Sequence, residues 1–210
     1  MRGMQKTRLS GWGNYPMVET YTTSIRSREE AAALLSPDMV PRGLGRSYAD
    51  QAVNENGTTL LCHPMKRFLS FDKESGILEC EAGASLEEII SVFAPRNWFP
   101  LICPGTKFVT IGGAIANDIH GKAHHVDGSF VNGVLSFTIL TADGTVYNAS
   151  RTENSDLFWG SFGGLGLLGI ILTARLQLRK IETTYFIQKP IRVKNLEGML
   201  SALHESDKEY

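Results

Sequence analysis

The stretch from Pro104 to His125, PGTKFVTIGGAIANDIHGKAHH, constrains this chain more than any other. It holds four glycines and three histidines. Its first half carries almost no side chain able to do chemistry. What it offers is backbone N–H groups with little Cβ bulk around them, which suits a main chain that must approach a charged, flat ligand such as a diphosphate. From Asn117 the stretch turns abruptly polar, through Asp118, His120 and Lys122. The first half therefore reads as a wall for a nucleotide cofactor, and the second half as facing its reactive end.

At 210 residues the chain makes one large domain or two small ones. A hydrophobic fraction of 42% supports a true core and excludes a disordered tail. Basic and acidic residues balance, 21 against 22, with no block of one sign, so neither nucleic acid nor an anionic membrane surface is an expected partner. The three cysteines, Cys62, Cys80 and Cys103, are odd in number and far apart, with no CxxC. They read as small buried hydrophobes, not as a disulfide framework or a zinc ribbon. No apolar run approaches the ~20 residues of a membrane span, and Met1 to Pro16 lacks the apolar core of a signal peptide. The expectation is a soluble cytoplasmic protein without a transmembrane segment.

Read in order, the chain opens on a polar, Gly-containing arm to Pro16, in which Trp12 and Tyr15 serve as anchors or touch a ligand. A strand is expected over Met17–Ile25. A capping box, Ser27 with Glu30, opens a helix over Arg28–Leu35, and Asp38–Pro41 is a short strand. Further strands are expected at Leu60–Leu61, Arg67–Phe71 and Ile77–Ala82, the last two as a hairpin around Asp72–Gly76. A second box, Ser85 with Glu88, opens a helix to Phe93, and Trp98–Ile102 is a strand. Val134–Thr141 and Val146–Ala149 pair around Ala142–Thr145. Ser155 caps a helix over Asp156–Phe162 that Gly163 and Gly164 close. Leu168–Leu178 is a long strand, Thr183–Val193 another, and Asn195–Glu205 an amphipathic helix. Short helices among many strands indicate an α+β fold of two adjoining lobes, with the boundary near Asp50–Leu60 or just before Pro104. A ligand would sit between the lobes.

Several motifs can be set aside. Gly164-Leu165-Gly166-Leu167-Leu168-Gly169 spells GxGxxG, but a helix precedes it and a strand follows, the reverse of a dinucleotide fingerprint. These glycines read as a helix stop and a strand entry packed close to another backbone, with a nucleotide contact by the strand that follows as the alternative. There is no GxxxxGK[ST] and no GxSxG. His120, His124 and His125 have HxxxHH spacing, not HExxH, and no second ligand cluster accompanies them, so no metal site is expected. His120 can exchange a proton near neutral pH and Lys122 can steady negative charge, though a hydrogen-bonded structural histidine beside a turn glycine fits the same residues. The loop Pro41-Arg42-Gly43-Leu44-Gly45-Arg46-Ser47-Tyr48 makes a tight turn whose arginines could meet phosphate; a plain surface loop has the same composition.

The combination is more specific than its parts. PRGLGRSYAD, GILECEAGASLEEI, PGTKFVTIGGAIANDIHGKAHH, LTADG and DLFWGSFGGLGLLGIIL together resemble the FAD-linked oxidases of the vanillyl-alcohol oxidase type, over about Ser10 to Tyr210. Within that type the chain is most similar to the branch acting on polyprenylphosphoryl ribose. The resemblance implies a PCMH-type FAD-binding domain of two α+β subdomains with the cofactor between them. It implies that Pro41, Arg42, Gly43, Leu44, Gly45, Arg46, Ser47, Tyr48, Ala49, Asp50 and Gln51 wrap the diphosphate and approach the isoalloxazine. Gly105, Thr110, Ile111, Gly112 and Gly113 would supply backbone donors. Asn117, Asp118, Ile119 and His120 would border the flavin, with catalytic His120 and Lys122 toward the substrate, and Ile171 would lie at the adenine end.

The implied reaction is oxidation of a sugar secondary alcohol, C2 of a lipid-linked ribose, to a ketone, with a partner reductase completing an epimerisation. An alditol or aldonolactone oxidase, or a flavin-binding module without activity, are the alternatives. Relatives that bind flavin covalently carry His in a GxGHS loop; here that position is Arg46, which implies non-covalent FAD. In the family a substrate-binding domain follows the FAD domain. The expected division is residues 1–182 for the FAD domain and 183–210 for the start of a substrate domain, the chain being a fragment or a truncated product.

Overall fold

Along Val18–Ser24, buried Val18, Thr20 and Thr22 alternate with exposed Glu19 and Tyr21, the two-residue period of a strand with one face covered. The computed structural model, which describes residues 4–209, builds its first sheet around this segment. The sheet contains β1 (Gln5–Leu9), β2 (Val18–Ser24), β3 (Met39–Arg42) and β4 (Thr58–Leu61), in the order β1-β2-β4-β3. β1 runs antiparallel to β2, while β4 lies parallel to both β2 and β3. α1 (Arg28–Ala33) carries the chain from β2 toward β3.

β1 corrects the expected loose arm. It is a polar edge strand, held by Thr7 Oγ1 against Thr22 Oγ1 at 3.1 Å and by the Lys6–Glu19 pair at 2.7 Å. Its sequence, QKTRL, has no apolar alternation to announce it. The first capping box is also displaced: Ser27 Oγ accepts from Glu30 N–H at 3.2 Å, but the Glu30 carboxylate accepts from Arg26 N–H, not from Ser27.

The first sheet ends at Leu61 and the second begins at β5 (Phe68–Asp72). β6 (Ile77–Glu81) pairs back on β5. α2 (Leu86–Phe93) opens with a complete capping box, in which Ser85 Oγ accepts from Glu88 N–H and the Glu88 carboxylate accepts from Ser85 N–H. It buries Leu86, Ile89 and Phe93, each contributing roughly 1.5–3 kcal/mol. β7 (Trp98–Pro100), α3 (Ile111–Ala116) and the single turn α4 (His124–Asp127) follow. β8 (Val134–Leu140) and β9 (Val146–Ser150) form the second hairpin. α5 (Ser155–Ser161) leads to β10 (Ile170–Lys180), and α6 (Leu196–Glu209) ends the described chain.

β10 organises this second sheet, ordered β5-β6-β10-β8-β9 with β7 beside the far end of β10. Its alternate residues Ile170, Leu172, Ala174, Leu176 and Leu178 are all buried. Ala174, Leu176 and Leu178 join a core with Leu78, Ile89, Ile111, Ile115, Phe137 and Phe158. Ile170 and Leu172 turn instead to Ile25 just past β2, Ala31 of α1 and Leu60 of β4, which ties the lobes together. The α+β fold agrees with the sequence.

Two local expectations fail. α5 is not capped by Ser155; its N-cap is Asn154 in the left-handed region, with Nδ2 donating to Asn148 O at 2.7 Å. α3 forms in a stretch for which the sequence specified no element. Thr183–Val193 forms no strand, because no neighbouring strand among the described residues offers it a ladder, and most of its apolar residues are exposed.

Candidate functional site

The two sheets leave a cleft of about 530 Å³ between them. One wall is the loop leaving β3. Pro41 and Arg42 end the strand, and the N–H groups of Gly43 through Tyr48 donate to no acceptor among the described residues. Arg42 fastens this loop from below: Nη2 donates to Ser10 O at 2.8 Å and Nη1 to Ala52 O at 3.1 Å. Burial, then the neighbouring Arg46 charge, pulls the Arg42 pKa down from its ordinary value. Gly45 has φ +67°, and a Cβ there would meet Arg42 Nη2 at 2.2 Å, so only glycine fits. The N-terminal arm closes over the outside, with Trp12 N–H donating to Ser47 O at 2.7 Å and the Arg46 guanidinium 5.4 Å from the Trp12 ring centre.

The opposite wall is α3 with its approach. Thr110 caps the helix, its Oγ1 accepting from Gly113 N–H at 3.3 Å. Ile111 N–H donates to Ala84 O and Gly112 N–H to Ala82 O, both at 2.8 Å. The N–H groups of Ile111, Gly112 and Gly113 are thus engaged within the protein, which overturns the expectation that they are donors for a ligand. Gly112 serves close packing instead, since a Cβ there would lie 3.3 Å from Ala82 Cβ. The walls meet where Gly43 faces Thr110; a Cβ on Gly43 would lie 2.1 Å from Thr110 Oγ1.

Of the residues singled out in the sequence, Pro41 through Tyr48, Gln51, Gly105, Thr110, Gly112, Gly113, Asn117, Ile119 and Ile171 line this one cleft. Ala49, Asp50, Ile111, Asp118, His120 and Lys122 do not. Ile111 is fully buried in the core. Asp118, at φ +41°, accepts through Oδ1 from Val131 N–H at 3.1 Å and so holds the turn after α3. His120 and Lys122 are exposed; the His120 backbone bridges Ser129, and its ring centre lies 5.3 Å from that of His124. No group of three His, Cys, Asp or Glu side chains placed to hold a metal occurs among the described residues.

The cleft also contains residues that sequence reasoning passed over, among them Ala52, Cys62, Ala82, Val109, Ala116, Leu165, Gly166 and Gly169. The last group belongs to the reversed GxGxxG, which does follow a helix and precede a strand. Its glycines let backbones touch: a Cβ on Gly169 would lie 2.2 Å from Leu140 O. The signal available was the spacing of Gly166 and Gly169 around the start of β10. Burial pushes the Cys62 thiol up to about 12, so it is not a thiolate at neutral pH.

This arrangement fits a dinucleotide cofactor. Its volume lies in the range of about 300–1,000 Å³ usual for such sites. Unpaired N–H groups and two arginines stand at one wall for an anionic middle, while Val109, Ala116, Ile119, Ile170 and Ile171 give apolar cover for rings.

Fold and cleft together define a two-lobed α+β cofactor-binding domain. A family profile described as an FAD binding domain matches residues 30–150. The chain belongs to this FAD-binding domain family. It is similar to decaprenylphosphoryl-beta-D-ribose oxidase of Mycolicibacterium smegmatis, 41% identical over 86% of this chain and 41% of the relative. L-gulonolactone oxidase of Mus musculus is 33% identical over 84% of this chain and 41% of that protein. The crystal structure of carbohydrate oxidase from Microdochium nivale in complex with a substrate analogue superposes with a TM-score of 0.69, at 24% identity, over 76% of this chain and 35% of that one, and so shares its fold. The chain spans about two fifths of the length of the first two relatives. No helix among the described residues is long and apolar enough to cross a membrane.

Proposed function

We propose that the chain is the FAD-binding part of an oxidoreductase that converts a sugar secondary alcohol to a ketone. The observation that carries this is the run of acceptor-free N–H groups from Gly43 to Tyr48, flanked by Arg42 and Arg46, at the wall of a cleft otherwise lined by small and apolar residues. FAD bound there would supply the two-electron acceptor for an alcohol C–H. The protein's own residues position the reactants and exclude water, which is the larger part of what such a domain contributes.

The flavin is held without a covalent bond. No histidine lines the cleft among the described residues; Arg46 stands between Gly45 and Ser47, and Cys62 is a protonated thiol. His120 and Lys122 follow Ile119, a cleft residue, and their side chains are open to a substrate arriving from solvent. In this reading the His120 imidazole takes the hydroxyl proton and the Lys122 ammonium steadies negative charge on the alcohol oxygen.

The similarity to the decaprenylphosphoryl-ribose oxidase supports a polyprenylphosphoryl ribose as the substrate, with C2 as the carbon we assign to oxidation. The similarity to L-gulonolactone oxidase favours an aldonolactone as the second reading. Anaerobic addition of each substrate class to the flavin-loaded protein separates them. Bleaching by the ribose lipid alone supports the first reading, and bleaching by the aldonolactone alone the second. No bleaching by any sugar would favour the reading of this chain as a flavin-binding module without activity of its own.

A further inference from the structure

The loop between α5 and β10, Gly163 to Gly169, has four residues in the left-handed half of backbone space: Gly163 at φ +74°, Leu165 at +56°, Gly166 at +81° and Gly169 at +150°. Three are glycine, as the conformation prefers. Leu165 is not, and a leucine at this φ is strained. The loop already uses glycine freely, so a leucine at this one position calls for a reason. Its backbone is fixed by a 2.8 Å hydrogen bond from Leu165 N–H to Ala116 O at the end of α3, and the next residue reaches the other lobe, with Pro41 Cγ 3.6 Å from a Cβ built on Gly166. Leu165 lines the cleft and is 39% exposed, one of the few large aliphatic side chains there with area left to bury.

We infer that Leu165 is an apolar contact for a planar ring of the bound nucleotide, its backbone strain retained because the side chain packs on the ligand. The inference rests on the FAD reading of the cleft. Leu165→Gly relieves the strain and deletes the contact; Leu165→Asn accepts the left-handed backbone and keeps the size while making the side chain polar. Thermal melts of the apo forms and flavin fluorescence titrations with FAD separate fold from binding. Both variants should melt at or above the wild-type temperature without ligand, yet bind FAD about ten-fold or more weakly, as expected for losing the burial of an aliphatic side chain. FAD affinity within two-fold of wild type in either variant, about the noise of such a titration, overturns the role of Leu165 while leaving the FAD reading intact. Failure of the wild-type chain to bind FAD overturns both.

Discussion

Gly43→Ala tests whether the two walls of the cleft meet as described. The added Cβ would lie 2.1 Å from Thr110 Oγ1 and 3.1 Å from Thr110 Cβ and Cγ2. Thr110 is only 3% exposed, so its side chain cannot swing into solvent. It must retreat by about 1 Å to reach ordinary contact, which overpacks the interface at a cost of roughly 1–3 kcal/mol. That retreat also breaks the cap on Gly113 N–H, worth about 1 kcal/mol. The sum, about 2–4 kcal/mol, lowers the melting temperature of a chain this size by roughly 5–15 °C. Thr110→Ala alone loses the cap but removes the obstructing oxygen, and should cost about 1 kcal/mol. The double variant should be little worse than Thr110→Ala, giving a favourable coupling of about 2–4 kcal/mol in a double-mutant cycle. Calorimetric melts of the four proteins decide the matter. Additive losses, or a Gly43→Ala melt indistinguishable from wild type, would refute the contact between the walls.

Three other outcomes follow from the same structure. Burial tends to raise the Glu88 carboxyl, but hydrogen bonds from Lys66 and from Ser85 outweigh it and hold its pKa below the usual range; its stabilisation is therefore present above the unfolded value of ~4.3 and lost as pH falls through the lower folded value. Glu88→Gln should cost about 1 kcal/mol at neutral pH, with the gap from wild type closing in acid, and a gap constant with pH in parallel urea titrations would count against the capping box. Glu81 is 4% exposed and accepts from Arg67 N, Nε and Nη2, so Arg67→Ala removes two of the three donors to a buried carboxylate and its only ion partner among the described residues, and should cost about 2–4 kcal/mol, most of it regained by adding Glu81→Met; no regain in urea denaturation contradicts the pair. Cys62 and Cys80, both pushed up to about 12 by burial, should resist an aromatic disulfide reagent in the folded protein at pH 8, whereas all three cysteines react in denaturant; fast reaction of more than one thiol before unfolding would be the contrary result.

What could be read from the sequence was whatever local chemistry alone decides. Ser85-Leu86-Glu87-Glu88 specified a helix start because all its partners lie within four residues. Thr141–Thr145 specified a turn for the same reason: Asp143 Oδ1 accepts from Thr145 N–H at 2.9 Å. β1 was not legible, since its stability comes from pairing with β2 and not from its own pattern. Thr183–Val193 failed the opposite way, a pattern without a neighbour. α3 was hidden by Gly112 and Gly113, poor helix formers whose small size is needed against Ala82 and within the cap. The loop after β3 lines the cleft from Pro41 to Tyr48, where its residues alone fitted a plain surface loop equally well. That Arg42 props it from below could not be foreseen, because its partners Ser10 and Ala52 lie far away or on the other side of the loop.

FAD held without a covalent bond in the cleft between Pro41–Tyr48 and α3 is the proposed state of the protein. The visible absorption spectrum of the purified protein, taken before and after acid precipitation, tests it directly. The expected result is a flavin spectrum from the folded protein and all of that flavin in the supernatant, none in the pellet. Flavin that stays with the precipitated chain would contradict non-covalent binding. A folded, colourless protein that takes up no added FAD would contradict the cleft's assignment altogether.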